Sequence, residues 1–164
     1  MVKSYAMIKT PTHKGTVMAR FIGEYNHQLD AKNRLRIPAK LKKELGDEYY
    51  FTRGTNNTIK VVTKEEMQAT LDKLAEIKYS NLELQKSVRF ISSSFVPAVE
   101  DNQGRVVLPT ELKAHALMGK DDKDLVICGA VNRIEIWSKK VHDEYFASSP
   151  EDFDSLIAKL VDLW

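Results

Sequence analysis

Cationic side chains cluster around a predicted turn near the amino end of the chain. Asp30, Lys32, Arg34 and Arg36 occupy alternate positions of one short segment. Side chains two residues apart in a strand lie on the same face. We therefore expect Arg34 and Arg36 to project together, while Leu35 points to the core. Arginine pairs bidentately with O6 and N7 of guanine, and a two-stranded ribbon fits the major groove. The spacing predicts a ridge able to read double-stranded DNA.

Further cations follow this turn. Six lysines and arginines and no acid occur between residues 32 and 43, and Lys40 and Lys42 lie on a predicted short helix. Lysine side chains at such positions suit phosphates better than base edges. The predicted DNA-binding residues are Asp30, Lys32, Asn33, Arg34, Arg36, Lys40 and Lys42.

A simpler interpretation of the same turn stays open. An Asp and an Arg four residues apart across a turn often form only a local ion pair, with the carboxylate accepting hydrogen bonds from the turn backbone. On that interpretation Asp30 and Arg34 shape the hairpin and do not read DNA.

The segment around this turn occurs twice in the chain. Residues 30–42 match residues 101–113 at a constant offset of 71, with Asp, Arg, Pro, Leu and Lys recurring in order. Residues 51–61 match residues 126–136 at an offset of 75. Recurrence of residue type and order at a fixed offset indicates two copies of one structural unit.

The second copy keeps the Asp–Arg pair and loses most of the surrounding charge. Asp101 and Arg105 occupy the positions of Asp30 and Arg34. Three cations of the first copy are replaced in the second: Lys32 by Gln103, Arg36 by Val107 and Lys40 by Glu111. We therefore predict that the pair shapes the turn in both copies, that Asp101 and Arg105 are secondary for binding, and that cationic readout is concentrated in the first copy.

The same repeat predicts the strands, turns and helices that carry these residues. Apolar and polar residues alternate on both sides of the turn, which is typical of strands. Asn33 and Gly104 occupy matching positions, and both residue types tolerate a positive φ. Pro38 and Pro109 each stand at the start of a predicted short helix. Two more strands and then helices follow in each copy, so the sequence predicts an α+β fold.

Composition excludes several classes of protein. Hydrophobic residues at 43% and charged residues at 29% describe a soluble globular chain, and no apolar run is long enough for a membrane span. A single cysteine, Cys128, cannot form an internal disulfide, which fits the cytoplasm. The four histidines are scattered without ligand spacing, and motifs for phosphate-binding loops or catalytic elbows are missing. We expect no enzyme, metal, cofactor, small-molecule substrate or membrane partner.

The chain resembles the MraZ family from about Phe21 to its end. The residues that carry the resemblance are Phe21-Ile-Gly-Glu-Tyr25, then Leu29-Asp30-x-Lys32-x-Arg34-Leu35-x-Ile37-Pro38, with D-x-x-x-R repeated at Asp101–Arg105. The resemblance implies two fused units similar to the AbrB/SpoVT swapped-hairpin module. These units would form a pseudo-twofold, β-barrel-like core, each followed by helices. It also implies a flexible extension at 1–20 and units at 21–91 and 92–164.

The same resemblance implies an activity. MraZ proteins look like nucleoid-associated regulators that form rings and bind short direct repeats ahead of the division and cell-wall gene cluster, which includes their own gene. Repression is the expected outcome, and Arg34 is the residue most expected to touch DNA. One departure is Asn33, where the family usually has glycine; its amide is expected to hold the turn or to contact a base or phosphate.

Two other functions stay open at this point. A protein-interaction scaffold or antitoxin-like module would dock a partner enzyme, and its surface would be the acidic terminal helix with Trp164. A small hydrolase would require a cleft that gathers His27, His115 or His142 with carboxylates.

Overall fold

The computed structural model describes residues 18–148 and 151–164, and the α+β fold class is confirmed. The expected extension at 1–20 lies outside the described residues, apart from residues 18–20. The strands are β1 (Glu24–Gln28), β2 (Arg34–Leu35), β3 (Tyr49–Arg53), β4 (Ile59–Thr63), β5 (Val96–Pro97), β6 (Val106–Val107), β7 (Asp124–Gly129) and β8 (Ile134–Ser138). The helices are α1 (Ala39–Leu45), α2 (Lys64–Ala75), α3 (Leu82–Ser93), α4 (Thr110–His115), α5 (Lys139–Ala147) and α6 (Phe153–Val161).

Six of the strands form one antiparallel sheet in the order β1-β7-β8-β4-β3-β5, and β2 and β6 form a separate two-stranded ribbon. Within the described residues the sheet ends at β1 on one side and at β5 on the other. It does not close on itself, so the expected barrel-like core is not confirmed.

The two copies exchange strands with each other. β1 of the first copy pairs with β7 of the second, and β5 of the second copy pairs with β3 of the first. In the ribbon, Leu35 lies opposite Val106, its own equivalent at the offset of 71. In the sheet centre, Lys60 lies opposite Glu135, its equivalent at the offset of 75. Pairing of equivalent residues is the pattern of a pseudo-twofold axis, so the hairpin swap occurs inside a single chain.

Alternation along the ribbon sorts its side chains between core and solvent. Leu35 and Ile37 are buried, whereas Arg36 between them is exposed. The second copy repeats this, with Val106 and Leu108 buried and Val107 exposed. The core beneath the ribbon continues into the apolar side chains of the central sheet strands. The ribbon is thereby anchored on one face and open to solvent on the other.

The repeat predicts each proline as the first residue of a short helix, and α1 and α4 begin one position later, directly after the prolines. Pro38 and Pro109 are the N-cap residues, one position before the helical residues begin. Each helix buries an equivalent leucine, Leu41 in α1 and Leu112 in α4. Among the described residues, no helix is long and apolar enough to cross a membrane.

Candidate nucleic-acid interface

The segment β1–turn–β2, residues 24–35, is called the first hairpin, although β1 pairs with β7 and β2 with β6, and a single carboxylate closes its turn. Oδ1 of Asp30 accepts hydrogen bonds from the backbone N–H groups of Lys32 at 2.9 Å and Arg34 at 2.8 Å. Asn33 has a φ of 58°, in the left-handed region that the sequence predicted for this position. The Asp30 side chain therefore fixes the turn, and Asn33 tolerates the left-handed backbone conformation that the turn requires.

Arg34 lies against carboxylates. Its Nε donates to Oδ2 of Asp30 at 2.7 Å, and its Nη1 lies 3.8 Å from Oδ2 of Asp101, so that its side chain is only 22% exposed. Hydrogen bonds from Arg34, first from its backbone N–H and then from its side chain, lower the pKa of Asp30. The local ion pair is thus formed, and Arg34 does not project freely beside Arg36. Its contact with DNA stays a prediction.

The second hairpin, residues 96–107, repeats this turn closely. Oδ1 of Asp101 accepts from the backbone N–H groups of Gln103 and Arg105, each at 2.9 Å, and Nε of Arg105 donates to Oδ2 at 2.9 Å. Gly104 takes a φ of 75°. The backbone N–H of Arg105 is the largest cause of the lowered pKa of Asp101. Asp101 and Arg105 close the second turn as Asp30 and Arg34 close the first.

Three of the predicted cations are exposed on and beside the ribbon. Lys32 lies at the tip of the first turn, Arg36 on the outer face of the ribbon and Lys40 on α1. Nε of Arg36 donates to the backbone oxygen of Gln103 at 2.9 Å, which holds the side chain toward the second turn. No carboxylate in the described part of the chain lies within ion-pair distance of these three side chains. Their charge is available to a ligand.

Lys42 occupies a different environment from the one predicted for a phosphate contact. Its Nζ lies 3.7 Å from Oδ1 of Asp47 and 3.7 Å from Oε2 of Glu100. The same atom stands 5.8 Å from the centre of the Tyr49 ring. Because two carboxylates already balance this charge, a phosphate would have to replace them, and the phosphate contact expected of Lys42 stays a prediction.

Two further lysines, which the sequence did not single out, converge on the first turn. Nζ of Lys113 and Nζ of Lys123 donate to the same Oδ1 of Asn33, at 3.0 Å and 2.9 Å. The expectation that the Asn33 amide meets a base or phosphate must therefore account for this engaged oxygen. Lys113 is the equivalent of Lys42 at the offset of 71, so the repeat contained a signal for it. Lys123 lies outside both aligned segments and had none.

Two of the described histidines, His115 and His142, have defined partners in the structure. Nε2 of His115 lies 2.9 Å from the backbone oxygen of Gly54, away from the turns. His142 does meet carboxylates, with Nε2 3.2 Å from Glu24 and Nδ1 3.1 Å from Asp143. Both of its ring nitrogens thus contact carboxylates. Among the described residues no group of histidines, cysteines and carboxylates is placed to hold a metal ion.

The sequence of this chain is also similar to sequences of known proteins. Residues 20–89 and 98–163 match a family model described as "MraZ protein, putative antitoxin-like". The chain is 35% identical to the transcriptional regulator MraZ of Alkaliphilus metalliredigens, over 87% of this chain and 98% of that protein.

The chain belongs to the MraZ family.

Other members are similar to the same extent. Proteins named transcriptional regulator MraZ from Oenococcus oeni and Clostridium beijerinckii are 37% and 39% identical, each over 87% of this chain and 97% and 98% of their own length. The first family match begins shortly before the first hairpin, the second begins within the second hairpin at residue 98, and each spans a single copy of the repeat. The duplication seen in the sequence is therefore a property that the family model shares.

Proposed function

We propose that this chain is a sequence-specific DNA-binding transcription regulator that uses the outer face of the β2–β6 ribbon and the adjoining turns. The observation that carries the proposal is the unbalanced, exposed charge of Lys32, Arg36 and Lys40 beside two rigid turns. Its relatives are named transcriptional regulators, and this supports the same conclusion.

Each part of the interface has a role in this proposal. Arg36 reads a base edge, because it directly follows β2 and extends to solvent between Leu35 and Ile37, which are anchored in the core. Lys32 and Lys40 contact phosphates. Asp30 and Asn33 hold the first turn, and Arg34 combines its ion pair with a DNA contact through its Nη atoms. Because the copies exchange strands, units 21–91 and 92–164 act as one reading surface.

Specific binding by so few cations requires several subunits. We infer that the chain assembles into a ring and binds direct repeats spaced about one helical turn, roughly 10 bp, so that adjacent subunits meet the same groove. After the first contact the later ones become intramolecular, and avidity rises by about 10²–10⁴. The target is the nucleoid DNA of the cytoplasm, ahead of the division and cell-wall gene cluster that includes the chain's own gene. Occupancy there represses by excluding polymerase.

The experiment is a binding titration on the DNA upstream of the chain's own gene. Fluorescence anisotropy measures the binding, and the titration is repeated at a series of salt concentrations. Repeat-specific binding is expected, with an affinity that falls as salt rises. Arg36→Ala should lower the affinity for the repeats by about 1–3 kcal/mol and relax their discrimination. Val107→Ala, at the equivalent position of the second copy, is the matched control and should bind as the unmodified chain does.

Two results would contradict the proposal in different ways. Absence of repeat-specific binding at low salt, by a protein shown to be folded and of defined mass, would overturn DNA reading as the function. Full affinity of Arg36→Ala would leave DNA binding in place and remove the ribbon as its site. Mass determination by light scattering tests the ring separately.

A second candidate is supported by the terminal helix. Apolar side chains of α6 and the residues after it are exposed in the single chain: Phe153, Leu156, Leu160, Val161, Leu163 and Trp164. Exposed apolar residues at helical spacing are typical of a surface that contacts another protein. A scaffold or antitoxin-like module that docks a partner enzyme would use it. Failure of repeat-specific DNA binding, with loss of partner capture on Leu156→Asp, would favour this function.

A further inference from the structure

The lysine pair beneath the first turn is built from the second copy of the repeat. Lys113 belongs to α4 and Lys123 to the loop before β7, yet both donate to Oδ1 of Asn33 in the first hairpin. The turn is also tied to the second copy by its backbone. Leu29 N–H donates to the oxygen of Lys123 at 2.9 Å, and Leu108 N–H donates to the oxygen of Asn33 at 2.8 Å. The position of both ammonium groups relative to the turn is therefore fixed.

In the described part of the chain the charge of this pair is offset only by acids at a distance, Asp121 and Asp122. Lys113 is only 6% exposed, and no carboxylate of the described residues lies within ion-pair distance of either nitrogen. Both ammonium groups share one neutral amide oxygen. Burial lowers the pKa of Lys113 and the neighbouring Lys123 lowers it further, whereas Asp122 and Asp121 raise it by less. Two like charges held together with no carboxylate in contact are unfavourable and attract an anion.

At the equivalent position of the first copy, carboxylates contact the lysine and balance its charge. Lys42 corresponds to Lys113, and it lies 3.7 Å from a carboxylate oxygen of Asp47 and 3.7 Å from one of Glu100. If the offset of 75 is extended three residues before the aligned segment, Glu48 takes the place of Lys123. The second turn has Gly104 where the first has Asn33. One of two equivalent sites is thus neutralised by acids, and the other carries two cations and an amide.

We propose that Lys113, Lys123 and Asn33 form a phosphate-binding site beside the first turn, in which a phosphate oxygen of DNA replaces the amide oxygen as acceptor for the two ammonium groups. This inference rests on the proposed function, and it deepens it by giving the second copy a part in holding the duplex. Lys32, at the tip of the same turn, then lies next to the phosphate that Lys113 and Lys123 of the second copy bind. Asn33 keeps the two lysines in place while the site is empty of DNA.

The first test compares matched lysine variants in the salt series. Lys113→Met keeps a long apolar stem in the buried position, and Lys123→Ala removes the more accessible cation. Each should weaken binding to all sequences alike and flatten the slope of log affinity against log salt by about one unit. Lys42→Met, at the equivalent position, should leave the slope unchanged. Equal slopes in all four proteins would overturn the proposal.

A second variant separates ligand binding from support of the turn. Asn33→Asp places a carboxylate of the same shape between the two lysines and tolerates the same backbone conformation. It should raise the melting temperature, because an ion pair replaces a neutral contact, and it should lower DNA affinity several-fold because the site is filled from within. If the pair only stiffened the turn, the melting temperature would rise and DNA affinity would be kept. That result would overturn the proposal.

A third measurement uses inorganic phosphate as the probe and distinguishes the sources of the ligand. At low ionic strength phosphate should raise the melting temperature of the unmodified chain more than that of Lys123→Ala. If the chain binds phosphate in this way but no DNA, the proposed function fails and a free phosphate compound is the ligand of the site. If it binds DNA with unaltered slopes in both lysine variants and shows no phosphate effect, the function stands and the site is rejected.

Discussion

The two hairpins close their turns with the same set of hydrogen bonds. Asp30 and Asp101 each accept two backbone N–H groups and the Nε of an arginine four residues on. The surroundings differ: the first turn carries Lys32 and meets two lysines that no carboxylate of the described residues contacts, whereas the second carries Gln103. After duplication the residues that set backbone geometry have been kept and the charges around them have diverged. Shape and electrostatic potential are thus supplied by different residues.

The largest expected effect concerns what the copies share. Leu41 and Leu112 are equivalent and almost fully buried, at 2% and 3% exposure. Leu41→Ala and Leu112→Ala should each lower the free energy of unfolding by about 2–5 kcal/mol, because each removes apolar contacts and leaves a cavity. Chemical denaturation at one fixed protein concentration measures both. A large loss in one copy with none in the other would contradict a shared, strand-exchanged core.

The next comparison concerns the arginines of the two turns. Arg34→Ala and Arg105→Ala each remove a partly exposed ion pair and should cost less than about 1 kcal/mol of stability. Only Arg34→Ala should weaken binding to the DNA repeats, by about 1–3 kcal/mol. Thermal melts and anisotropy titrations of both variants provide the readouts. Equal losses of affinity would show that both hairpins contact DNA.

A smaller effect is expected from freeing the balanced lysine. Glu100→Gln removes one of the two carboxylates beside Lys42 and still offers Tyr49 an oxygen to which its hydroxyl can donate. Lys42 should then gain the ability to contact a phosphate and steepen the salt slope of DNA binding by up to about one unit. Lys42→Met combined with Glu100→Gln is the control and should cancel the gain. No change in slope would mean that Lys42 lies out of reach of the duplex.

The smallest effect is the response of the two turns to acid. Accepted hydrogen bonds lower the pKa of both Asp30 and Asp101 in the folded chain. A carboxyl whose pKa is lower in the folded than in the unfolded state stabilises the fold above its unfolded value, and that contribution is lost as pH falls through the folded pKa. The window therefore lies below about pH 4. A carbon-13 NMR titration should show both carboxyls titrating low, and a normal value at either would contradict the matched geometry.

Local sequence predicted those features that depend on neighbours along the chain. The alternation that buries Leu35 and exposes Arg36 follows from the two-residue period of a strand. The positive φ at Asn33 and Gly104 follows from residue type, and the short helices after Pro38 and Pro109 follow from the fixed φ of proline. The interpretation of Asp30 and Arg34 as a local ion pair, left open by the sequence, describes the geometry that is found.

The duplication, the turn chemistry and the concentration of cations in the first copy can all be recognised from residue types a few positions apart. The pairing of β1 with β7, the contact of Glu100 with Lys42 and the meeting of Lys113 and Lys123 at Asn33 become visible only in the folded chain. These contacts join residues some 60 to 100 positions apart, and periodicity along the chain carries no information about them. The balance of charge at each turn is accordingly a property of the fold and cannot be read from either copy alone.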